Sequence, residues 1–143
     1  MHAYLLQEGT WEASGSYLDE SGNEAPCWGR STIEHGQTWT VDSFLTVQGA
    51  ETETFRNHQH VTPLRGDAPS TEYSAESSEL GTLRGRFTFV GDTIIGVGRA
   101  DHADLVVVDA LRRADIDRYD SRGKLLSEGR LLSAWAVTLT RQT

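Results

Sequence analysis

One cysteine, Cys27, occurs among the 143 residues, so no disulfide can form within the chain and its stability has to come from a packed core. That usage fits a reducing compartment. No stretch reaches the roughly 18 consecutive apolar residues of a membrane-spanning helix, and no N-terminal segment joins a basic start to an apolar run of signal-peptide length. The expectation is a soluble, cytoplasmic protein with no membrane span. Cations are the minority, 13 Lys and Arg against 21 Asp and Glu, for a formal net charge of −8, and Lys124 is the single lysine. No basic patch forms, which argues against a nucleic-acid partner. Almost nowhere do apolar residues recur at three- and four-residue spacing over more than ten positions, which excludes a helical bundle.

What is present is strict alternation in short segments broken by Gly and Asp. The first strand puts Trp11, Ala13, Gly15 and Tyr17 on one face and Thr10, Glu12, Ser14 and Ser16 on the other, before a turn at Asp19-Glu20-Ser21-Gly22-Asn23. Further strands are expected over 26–33, 39–47 and 51–61, then a long loop from Thr62 to Ser70 that holds Pro63, Gly66 and Pro69. Leu83–Val90 and Thr93–Arg99 flank Gly91-Asp92 as the clearest hairpin. The unbroken run Leu105-Val106-Val107-Val108 implies burial on both faces or a covering element. A strand or single helical turn near Ile116–Tyr119 and a last strand over Leu131–Arg141 complete the set. About ten strands, at roughly 14 residues for each strand with its turn, fit one domain spanning residues 1–143. An antiparallel up-and-down β-barrel is favoured, because closure removes the edges that an open sheet would have to protect.

Gly9-Thr10-Trp11 at the head of the first strand, with Arg141 near the end of the last, resembles the calycin superfamily of lipocalins, fatty-acid-binding proteins and nitrobindin-like barrels. In that superfamily the Gly-x-Trp tryptophan plugs the barrel floor and an Arg of the final strand packs across it. The resemblance therefore implies structural roles for Gly9, Trp11 and Arg141, and a cavity for a small molecule. Length and the ending Ala136–Arg141 are most similar to the ten-stranded members. Nitrobindin-like proteins bind haem through a His on one of the last strands. Here Ser133, Ala134 and Trp135 stand in that region and no His follows His102, so haem is a minor alternative and no cofactor is assigned. The two-helix lid of fatty-acid-binding proteins has no room in the short turn at 19–23.

Candidate site residues divide into polar and aromatic sets. Arg56, His58 and His60 share one face of the fourth strand; turned inward they would fix a carboxylate or a carbonyl, and turned outward they are a solvated surface, with Phe55 and Val61 then on the cavity side. The His58-x-His60 spacing also suits a metal pair, with a third ligand to come from another strand, such as Glu34, Asp42 or His102, but no metal is assigned. Trp39, Tyr73, Phe87 and Trp135 are candidate ligand-lining aromatics, or plain core. Gly96-x-Gly98 has no following helix to cradle a phosphate and is read as relief of barrel curvature. Asp109 is the one acidic residue in a run apolar enough to raise its pKa, which makes it a candidate general acid or base. Cys27 is read as a buried small hydrophobe. The favoured function is a barrel, monomeric or homodimeric, that binds a small apolar or amphipathic molecule; the alternative is a small barrel enzyme of isomerase, cyclase or decarboxylase type in the same cavity.

Overall fold

The computed structural model describes residues 2–143. Ten strands follow one another: β1 (Gly9–Asp19), β2 (Glu24–His35), β3 (Trp39–Gln48), β4 (Thr52–Val61), β5 (Ser70–Ser77), β6 (Gly81–Val90), β7 (Thr93–Ala100), β8 (Leu105–Asp115), β9 (Arg118–Ser127) and β10 (Arg130–Arg141). Each pairs antiparallel with its chain neighbours, and β10 returns to β1 to close the barrel. The up-and-down topology expected from the alternation therefore holds, and no helix is long and apolar enough to cross a membrane.

Two segments differ from the expectation. Ile116 and Asp117 form a tight turn between β8 and β9, and the residues after it are a full strand. β9 shows little apolar alternation because its inward positions are Tyr119, Ser121, Gly123 and Leu125, small or polar where large neighbours need space. The Val-rich run has no covering element among the described residues. Val107 faces the cavity, while Val106 and Val108 lie half-buried on the outer wall beside Leu126 and Val97.

One end of the barrel is capped by the segment before β1. Ala3 and Leu5 are buried there, and a turn is closed by a hydrogen bond from the Gln7 amide to the Ala3 carbonyl. His2 Nε2 lies 2.9 Å from the Gly91 carbonyl, which can only accept, so Nε2 carries the proton and, in the neutral ring, Nδ1 accepts from the Tyr119 hydroxyl at 2.7 Å. That hydroxyl in turn accepts from the Ala3 amide at 3.2 Å. Tyr119→Phe would leave two polar partners buried and unpaired. It should cost about 1–3 kcal/mol in urea denaturation and speed amide exchange at Ala3, whereas an unchanged midpoint would show that the cap is held by packing alone.

Under the cap lies Trp11, with no exposed surface, packed edge-on to Tyr4 and Tyr119, with ring centroids 5.5 Å away in each case. The Arg141 guanidinium sits 5.9 Å from the Trp11 ring centroid and donates to Gln7 Oε1 and the Glu8 carbonyl, tying the last strand to the capping segment. A Cβ on Gly9 would stand in ordinary van der Waals contact with Arg141 Nε, at 3.4 Å. The other end of the barrel is ringed by the five alternate turns, and here the wall is incomplete. β4 pairs in register with β5 only from Asn57 to Val61, which leaves Thr52–Phe55 without β5 partners.

Candidate functional site

Inside the barrel is a cavity of about 520 Å³. Strand parity decides what lines it. Val107, Asp109 and Leu111 come from β8, Leu83 and Phe87 from β6, and Trp135, Val137 and Leu139 from β10. Tyr4 and Leu5 of the capping segment form the floor, and Tyr17, Phe55 and Leu125 approach the open end. Ten strands enclose more width than these side chains fill, so space remains.

The polar centre of this lining is built on glycine. Gly96 faces Asp109 across the β7–β8 ladder, and a methyl group at Gly96 would overlap Asp109 Oδ1. Two residues on, a methyl at Gly98 would overlap the Tyr73 hydroxyl, and one at Gly85 would overlap the Tyr73 ring. The bare backbone of β6 and β7 is thus a shelf on which one carboxyl and one phenol lie, with Tyr73 stacked on Phe87 at 4.5 Å between centroids. Gly123 does the same for the Trp135 indole.

Burial shifts these groups. Desolvation pushes Asp109 up from 3.8 to about 7, partly opposed by its own backbone amide. It also raises Tyr73, to which the Asp109 charge adds. Tyr4 is pushed up to about 12, chiefly by burial, with the Ser31 hydroxyl pulling down and the Asp109 charge pushing up. No cation among the described residues forms an ion pair with Asp109. Asn57 Oδ1, on the opposite wall, is buried and accepts no hydrogen bond.

Of the aromatic candidates, Tyr73, Phe87 and Trp135 line the cavity and Trp39 does not. Trp39 stacks on His35 at 4.3 Å near the capped end, where His35 also contacts the Leu5 carbonyl. Of the polar candidates on β4, Arg56 borders the cavity and His58 and His60 do not. The strand turns Phe55, Asn57 and Gln59 to the cavity, and His58 and His60 point outward with their rings edge-on at 4.6 Å. His58 Nδ1 bonds Asp42 on the outer wall. Arg56 is exposed at the rim, its guanidinium 5.7 Å above the Phe44 ring. Among the described residues no three His, Cys, Asp or Glu side chains gather as a metal site. Cys27 is buried and free, and desolvation raises its thiol pKa.

Neither a family model nor a curated protein matches the sequence. Solved structures do. The crystal structure of Rv2717c from M. tuberculosis superposes with a TM-score of 0.69 at 15% identity over 100% of both chains. The S-type phycobiliprotein lyase CPES from Guillardia theta superposes with a TM-score of 0.65 at 11% identity, over 96% of this chain and 89% of the lyase. What is shared is the fold, here a closed barrel of ten antiparallel strands. At such identity the likeness concerns the fold alone, so any function for this barrel has to be argued from its own cavity.

Among the lining residues that sequence reasoning missed are Tyr4, Leu5, Asn57 and Gln59. Tyr4 and Leu5 precede the first alternating segment and carry no periodic signal. A usable signal did exist for the shelf: two glycines at i and i+2 on an otherwise apolar strand mark one face without side chains, and something large has to occupy it.

Proposed function

We propose that the chain is a binding barrel that holds a small apolar or amphipathic molecule in its central cavity. The observation that carries this reading is the cavity itself: about 520 Å³, walled by aromatic and aliphatic side chains and reached past an incomplete stretch of wall. That size and lining are the usual composition of small-molecule sites. A solved structure of the same fold is described as a phycobiliprotein lyase, which supports a role in handling small molecules without naming one for this chain.

The test compares native and denatured mass spectra of freshly purified protein, followed by titration with the neutral dye Nile red. One-to-one dye binding is expected, and Ser133→Trp, which fills the cavity from a buried inward position, should abolish it. A clean native mass together with no dye binding would sink the reading. Asp109 favours a second reading, an enzyme with one acid–base group of near-neutral pKa in the same cavity. That reading requires a turnover lost in Asp109→Asn while dye binding persists.

A further inference from the structure

We propose that the cavity selects a cation: an amphipathic amine or amidine whose apolar body fills the barrel and whose protonated nitrogen pairs with Asp109 on the Gly96–Gly98 shelf. This rests on the binding reading above and adds the sign of the ligand's charge.

Four observations converge on it. First, the charged groups that line the cavity are unevenly placed. Arg30, Arg56 and Glu79 are exposed at its edge, and Arg30 is already held by Glu12 at 2.7 Å, which leaves Asp109 as the carboxyl inside. An alkyl carboxylate would bring a second anion towards Asp109 and find no cation at that depth. Second, two acceptors on the cavity walls have no cationic or donor partner of their own. Asp109 has no cationic partner among the described residues, and Asn57 Oδ1 accepts nothing, so the cavity asks its ligand for donors. Third, the Tyr73–Phe87 stack and the Trp135 indole supply aromatic faces in the same cavity, to which an ammonium or amidinium is attracted. Fourth, the chain carries a formal net charge of −8, a field that draws cations to the molecule and repels anions.

Physically, the half-buried carboxyl is desolvated with only its own backbone amide in return, and a positive ligand supplies the missing charge where the dielectric is lower than in water and the pair is stronger. The groups that face it are the Tyr73 and Tyr4 phenols and the backbone of Gly96, none of which offers a competing positive charge.

Decylamine, 1-decanol and decanoate share one chain length and differ in charge. Calorimetric titration at pH 8, above the Asp109 ionisation, should give decylamine binding at least about tenfold tighter than decanol, with decanoate weakest. Asp109→Asn should bring the amine to the level of the alcohol and leave the alcohol within about twofold. Gly96→Ala, which pushes the carboxyl off its seat, should weaken the amine selectively and serves should the first variant fold poorly. If amine and alcohol bind alike, or decanoate binds best, or neither variant changes the order, the cation site is overturned while the binding barrel stands. If none of the three binds and Nile red does not either, both proposals fall together.

Discussion

Trp11→Ala should remove about 3–5 kcal/mol of unfolding free energy, the upper range for truncating a fully buried aromatic side chain. The indole is the hub on which three parts of the chain meet. Tyr4 of the capping segment and Tyr119 of β9 pack edge-on against it, and the guanidinium of Arg141 crosses its face while holding Gln7 and Glu8. Removing it leaves a void beneath Tyr4 and takes away the surface against which the cap is seated. The variant should show a lower urea midpoint at unchanged slope, followed by far-UV circular dichroism because the indole itself is a fluorescence probe. Trp11→Phe keeps an aromatic in place and should lose clearly less. A loss below about 1 kcal/mol for the alanine variant would mean that the cap folds independently of the barrel floor.

The cap also shows where the sequence stops being readable. β1, β6 and β7 are legible because each alternates apolar with polar and ends at a turn rich in Gly or Asp, so period and punctuation agree. β4 is not, since it is polar on both faces: Arg56, His58 and His60 on one side, Asn57 and Gln59 on the other. Alternation cannot say which face is inside when both are polar, and the face with the more suggestive chemistry turns out to be the outer one. β9 hides for a different reason, because its inward Ser121 and Gly123 are small to admit what lies across from them, as Gly123 does for Trp135. The eight residues before β1 carry no period, and only the finished barrel gives a place to bury Ala3 and Leu5. Asp109 is legible as an exception, an acid within an apolar run, but its seat over Gly96 is a contact between strands that spacing along one strand cannot show.

Asp109→Asn should make the protein more stable at pH 8 and leave it nearly unchanged near pH 4. The folded state holds the Asp109 proton up to about pH 7, against 3.8 as the ordinary value, so it binds that proton more tightly than the unfolded chain does. The stability from this group is therefore full below about pH 4, falls as pH rises towards 7, and above that amounts to a penalty on the order of 4 kcal/mol if the carboxyl is wholly dry. Water in the cavity softens the burial, and about 2–4 kcal/mol is the expected gap between Asn variant and wild type at pH 8. Urea midpoints at pH 5, 6.5 and 8 would trace it, and a gap of the same size at all three would show that Asp109 is not desolvated in the fold. A carboxyl that costs so much unliganded makes sense where function gains from it, as destabilised sites in proteins commonly do. Decylamine at saturating concentration should accordingly raise the wild-type midpoint at pH 8 far more than that of the Asn variant, since only the wild type has a buried charge for the amine to neutralise.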